Sequence, residues 1–226
     1  MLGVLPGARE PRTKRGRMYT LYGYKGSGSA AVEAALQRSA VPYKTIKAAS
    51  WDPQSAVQEL TLVNPLAQIP TLVLPDGTVL TESAAILIHL GLAHPGSGLL
   101  PVSPSERAVA IRGLVFIASN LYSAISVTDF PERWLVEPTE AACRNLKDGS
   151  RERLHLHWAT FADTFEGSPF LSGRELGALD LLAAVVSKWS GARQFLEKER
   201  PGFYELLLRI DADPQVEAVF ARYWPD

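Results

Sequence analysis

Asn64-Pro65-Leu66-Ala67-Gln68-Ile69-Pro70-Thr71-Leu72, followed by Pro75-Asp76-Gly77 and then Leu80-Thr81-Glu82-Ser83-Ala84-Ala85-Ile86, is the stretch on which the reading of this chain turns. Thr71–Leu74 and Thr78–Leu80 are short β-prone runs, and the Pro-Asp-Gly between them is a strong hairpin signal. Pro70 stands where a proline cannot donate to a sheet, so it marks the entry to the first of these strands. A cis Ile69-Pro70 bond would turn the backbone there and leave the polar groups of residue 69 facing a ligand. Glu82-Ser83 opens a helix running to Ala93, and the free amides and hydroxyl at such a start suit a carboxylate.

Working outward toward the amino end, Tyr19–Tyr22 is strand-like and Gly23–Ser29 is a glycine-rich loop. Ala30–Ser39 reads as a helix beginning near Ser29, and Tyr43–Ala48 as a second strand, parallel to the first. Ser50–Leu62 is a less regular helical stretch introduced by Asp52-Pro53. The order is therefore βαβαββα, closing at the linker-like His94-Pro95-Gly96-Ser97-Gly98. Past Ser103 the strand signals vanish. Ser105–Ser123, Thr139–Phe165, Ala178–Ser190, Arg200–Leu208 and Pro214–Tyr223 all space their apolar residues as helices do.

The predicted organisation is a basic, solvated, disordered extension over residues 1–17, an α/β unit over 18–97 and an all-helical unit over 103–226. The extension lacks the apolar core of a secretory signal. A formal charge of −1 offers no electrostatic reason to expect nucleic acid, and no apolar run approaches the length of a bilayer span, so neither nucleic acid nor membrane is an expected partner. With Cys143 as the single cysteine, neither an intrachain disulfide nor a CxxC redox pair can form, and a reducing, cytoplasmic compartment is expected. His155 and His157 are two apart and so point in different directions on a helix, and no metal site is expected.

The motif Asn64–Leu72, the Asp76-Gly77 turn and Leu80–Ile86 together resemble the glutathione transferase superfamily, departing at Ala67 where glycine is common. Gly177-Ala-Leu-Asp180 resembles the family's second marker, a helix cap with aspartate three residues on, with glycine in place of the hydroxyl residue. The resemblance implies a thioredoxin-like N-terminal domain and an all-α C-terminal domain. It implies detoxification chemistry in which glutathione, a cosubstrate rather than a cofactor, is transferred to a small, largely apolar electrophile. It further implies a homodimer. Carried over residue by residue, Ser83 holds the γ-glutamyl carboxylate with help from Glu82, Ile69 and Pro70 present backbone to the cysteinyl part, and Gln68 orients the tripeptide.

A thiol with a pKa of about 8.5 is mostly protonated at neutral pH, so catalysis needs a donor and positive potential beside the sulfur. The turn into the first helix supplies amides, and Ser27, then Ser29, are the candidate catalytic donors. Tyr22, Tyr24 and the backbone alone are the alternatives. Aligned from the helix start, the cysteine of beta-like members falls on Gly28; aligned from Leu21-Tyr22, the Ser-Ser-Cys run of zeta-like members begins at Ser27. Phe116, Tyr122 and Trp134 are the candidates to line the second-substrate pocket. A non-catalytic binding or regulatory protein and a glutathione-dependent isomerase are the competing functions, and the single cysteine excludes a dithiol oxidoreductase.

Overall fold

A computed structural model describes residues 18–225, and the basic stretch 1–17 lies outside the described residues. Strand β1 (Tyr19–Gly23), helix α1 (Ser29–Arg38), strand β2 (Tyr43–Lys47) and helix α2 (Val57–Val63) come first. They are followed by β3 (Thr71–Val73), β4 (Val79–Leu80) and α3 (Ser83–Ala93). The strands form one sheet in the order β2-β1-β3-β4. β2 runs parallel to β1, with Tyr19 opposite Tyr43, whereas β3 and β4 are antiparallel, with Leu21 opposite Leu72 and Leu72 opposite Leu80.

Alternation along β1 sorts the two faces of this sheet. Tyr19 and Leu21 join the large core shared with α1 and α3, while Tyr22 turns to the opposite face and meets Ala48 and Leu60 of α2. Helix α2 starts later than predicted. Asp52 and Ser55 bond the nearby backbone instead, Asp52 Oδ1 accepting from Gln54 N–H at 3.0 Å and Ser55 Oγ donating to Asp52 O at 2.6 Å, so residues 52–55 form turns.

The remainder is helical: α4 (Pro104–Phe116), α5 (Tyr122–Asp129), α6 (Glu140–Thr164), α7 (Ala178–Val186), α8 (Ala192–Glu199), α9 (Pro201–Asp211) and α10 (Pro214–Tyr223). A π-helical turn, Ile117–Leu121, joins α4 to α5 in one rod. Contrary to the sequence expectation, Pro104–Asp129 is long and apolar enough to cross a membrane by length and composition, its most apolar 18-residue window having a mean hydropathy of 1.6. Arg107 and Arg112 interrupt the apolar run in the sequence but lie within α4, and the π turn extends that helix into α5; 39% of its most apolar window is buried in the fold. Helix α8 is absent from the sequence reading, because only Ala192 and Leu196 of its two turns are buried and its remaining residues are mostly polar.

Helix α7 is buried along its whole length, as its apolar composition on every side requires. It packs against α1, α3, α4 and α9, so the α/β and helical units share one continuous core. Its start is fixed by Asp180, which is 0% exposed and accepts from three backbone amides: Leu171 at 2.6 Å, Gly177 at 2.9 Å and Ser172 at 3.1 Å.

Candidate functional site

Three loops meet where β1 passes into α1. In the first, Ser27, Gly28 and Ser29 are all buried at the amino end of α1, whose first amides lack helical partners and carry the positive end of its dipole. In the second, Ile69-Pro70 is a cis peptide, with Pro70 buried, Ile69 partly exposed and Gln68 exposed. That loop is braced by Asn64, whose amide donates to Gln68 O and Thr71 Oγ1, both at 3.0 Å. Ala67 sits within it at φ 49°, which explains the usual glycine at this position.

The third loop ends at Glu82, an exposed residue at φ 64° that turns the chain into α3. A non-glycine residue in the left-handed region costs about 1–2 kcal/mol. The conformation sets buried Ser83 at the first position of α3, toward α1. A methyl group placed on Gly28 would lie 3.2 Å from Ser83 Oγ and 3.5 Å from Pro70 Cδ, so the absent side chain lets the three loops converge. The two helix starts, α1 and α3, then present amide ends to one region, an arrangement suited to an anionic ligand.

Two of the predicted serines are already occupied. The single hydrogen of the Ser27 hydroxyl is contested by Tyr24 O at 2.6 Å and Ser29 Oγ at 3.0 Å. Ser27 Oγ also accepts from Ser29 N–H at 3.3 Å, a local bond of the kind that organises turns. Ser29 is 0% exposed. Tyr22 donates to Glu59 at 2.6 Å across the opposite face of the sheet, and burial first, then Glu59, pushes its phenol up to about 12. Tyr24 donates to Asp52 at 2.8 Å.

Of the three candidates for the second-substrate pocket, only Tyr122 reaches this cluster. Its residue is half-buried, and its hydroxyl is enclosed 3.4 Å from Ser83 Oγ. Trp189 stands against its ring at 5.8 Å and donates through Nε1 to Gly26 O at 3.1 Å. Gly26 N–H in turn donates to Tyr223 O at 2.9 Å, so the helical unit grips the turn from two sides. Phe116 lies in the helical core against His157, Phe161 and Phe165, and Trp134 is exposed on the turn Pro131–Trp134 beside α5 and α6. The apolar spacing of the sequence does not separate these three positions.

His155 stacks on Phe195, 4.4 Å between ring centres, and Cys143 is half-buried on α6. No group of three His, Cys, Asp or Glu side chains is placed to hold a metal among the described residues. A cleft of about 350 Å³ lined by Phe165, Arg200, Pro201 and Phe203 opens elsewhere on the helical unit and shares no residue with the cluster.

Comparison with known proteins points to one fold. The family described as "Glutathione S-transferase, N-terminal domain" matches residues 29–92. The GST-like protein YncG of Escherichia coli K12 is 28% identical over 206 residues, 91% of this chain and 98% of that protein. A probable maleylacetoacetate isomerase of Caenorhabditis elegans is 35% identical over 104 residues, 46% of this chain and 47% of that protein. Among solved structures, a glutathione S-transferase of Methylobacterium radiotolerans in complex with glutathione sulfonate superposes with a TM-score of 0.71 at 25% identity, covering 89% of this chain and 94% of that one. With the sheet order and the helical remainder in accord with these likenesses, residues 29–92 match a glutathione S-transferase N-terminal domain and the chain has the glutathione transferase fold.

Proposed function

We propose that this chain is a cytoplasmic glutathione transferase that conjugates the thiolate of glutathione to a small, largely apolar electrophile. The observation that carries the reading is the convergence of Gly28, Pro70 and Ser83 between two helix starts. Ser83 and the first amides of α3 hold the γ-glutamyl carboxylate, with Glu82 beside them. The backbone of Ile69 pairs with the cysteinyl residue, and Gln68 orients the tripeptide. The sulfur then lies toward the amino end of α1, where the thiol proton departs to water and the helix dipole favours the anion left behind. The sulfur lone pair forms the new S–C bond while the leaving group departs with the bonding electrons. Glutathione is consumed as a cosubstrate.

Ser27 serves the sulfur only by giving up its bond to Tyr24 O, a loss of about 1 kcal/mol, so its share in thiolate stabilisation is modest. The reading extends to a homodimer, supported by the apolar residues Leu92, Val102, Val109 and Val115 left exposed on or beside α3 and α4. Sedimentation of a single dimeric species tests that part.

Calorimetry of glutathione binding, with conjugation to an aryl halide, tests the whole. Ser83→Ala removes a hydrogen bond to a charged group and is expected to weaken glutathione binding by about tenfold or more. Wild-type protein that fails to bind millimolar glutathione would leave a binding module of another kind. A second reading, glutathione-assisted isomerisation, draws support from the likeness to the isomerase; it requires a product that leaves without glutathione attached.

A further inference from the structure

Beyond its two chain neighbours, the oxygen closest to an added methyl on Gly28 is not that of Ser83. It is Tyr122 Oη, 2.7 Å away, carried by a helix of the other unit. We propose that Tyr122 is the hydrogen-bond donor to the sulfur of bound glutathione, supplied across the unit boundary in place of a side chain on the turn. The proposal rests on the transferase reading and assigns a further residue at the same site.

Hydrogen supply favours Tyr122 over Ser27. Ser27 has its one hydrogen held at 2.6 Å by Tyr24 O, whereas the contact of Tyr122 Oη with Ser83 Oγ is 3.4 Å, long for a bond between hydroxyls. A sulfur anion arriving beside Gly28 at the amino end of α1 can take the Tyr122 hydrogen with little loss. Burial pushes the phenol up to about 12, with the Ser83 contact opposing that rise, so the hydroxyl keeps its hydrogen throughout the range in which a thiol near 8.5 ionises. The thiol proton therefore goes to water, and Tyr122 donates without transferring its own.

The fold aims this side chain. The π-helical turn Ile117–Leu121 ends immediately before Tyr122. One residue beyond α-helical phase rotates the rest of the helix by about 100°, so an unbroken α-helix would present a different face to α1. Trp189 then backs the Tyr122 ring and, through Gly26 O, holds the turn opposite it. A π turn at this point and a tryptophan shared by the tyrosine and the loop place the hydroxyl and Gly28 in fixed register.

Tyr122→Phe removes one oxygen and leaves the ring packing. The thiolate absorbance of bound glutathione, followed against pH, is expected to show its midpoint raised by about one pH unit in this variant. kcat/KM below that midpoint should fall by about tenfold, with glutathione affinity changed by less than about threefold. An unchanged midpoint in a variant that still binds glutathione overturns the role of Tyr122 and leaves the transferase reading intact. Wild-type protein that binds no glutathione overturns both. Gly28→Ala supplies an independent arm, because its methyl displaces the hydroxyl: it should raise the midpoint in the wild-type background and add little in Tyr122→Phe. Full additivity of the two substitutions overturns the proposal.

Discussion

Asp180→Ala strikes the point from which the most deeply buried helix begins. The carboxylate is 0% exposed and receives three backbone N–H groups, at 2.6, 2.9 and 3.1 Å. Hydrogen bonds to a charged group contribute about 1.5–3 kcal/mol each, which bounds the gross loss at about 4.5–9 kcal/mol. Two effects reduce it. Keeping the carboxylate buried is itself costly, as the upward push of burial on its pKa indicates, and Leu171 and Ser172 are half-buried, so water can reach their amides once the side chain is gone. A net loss of about 3–4 kcal/mol is expected, close to that of breaking a buried charged contact from one side. For a chain of this length each kcal/mol lowers Tm by about 2–4 °C, which gives a fall of about 6–16 °C. Thermal and urea unfolding followed by circular dichroism measure it, and Asp180→Asn, which retains one acceptor oxygen, should lose about half as much. A loss below about 1 kcal/mol for the alanine variant, or an asparagine variant as damaged as the alanine one, would refute this account of how α7 is anchored.

Ala67→Gly is expected to stabilise the protein by about 0.5–1 kcal/mol, the relief of a left-handed alanine less the added freedom of glycine in the unfolded chain; equilibrium urea unfolding that shows no gain counts against strain at this loop. Trp189→Phe removes the bond to Gly26 O and should raise the KM for glutathione by about fivefold while costing less than about 1 kcal/mol of stability, and steady-state kinetics beside thermal unfolding separate the two effects. Tyr22 and Tyr122 both have phenols pushed up to about 12 in the folded protein. Their folded values lie above the ordinary value near 10, so the stability they contribute is fully present below pH 10 and is lost as pH rises through about 12. Tyrosinate absorbance for these two should therefore appear together with unfolding, and normal titration near pH 10 in folded protein would contradict their burial.

The sheet is legible in the sequence because its signals are local. Pro75-Asp76-Gly77 specifies its own turn, and Ile69-Pro70 marks the entry to β3 whatever surrounds it. Ser83 is legible for the same reason, since a helix start offers its amides wherever it lies. Helix α8 is not, because a two-turn helix with two buried residues leaves too short a period to read. The state of Ser27 is hidden as well: whether its hydrogen is available depends on where the backbone carbonyl of Tyr24 points. Tyr122 stands out in the sequence only as one aromatic among several, and the feature that separates it from Phe116 is a π turn that apolar spacing does not reveal.

The turn that precedes α1 is tied down by a part of the chain remote from it in sequence. Tyr223 accepts the amide of Gly26 through its carbonyl and donates its hydroxyl to the buried Glu33 on α1 at 2.7 Å, a contact spanning 190 residues of sequence. A polypeptide emerging from the ribosome makes this loop well before the residues that brace it, which follow about 190 positions later. Until α10 has left the exit tunnel, the nascent chain can hold its sheet and its first helix while the loop beside them lacks this brace. Competence to bind should thus await α10 during synthesis, and a stop codon placed before Tyr223 should yield a chain that keeps much of its secondary structure but handles glutathione poorly.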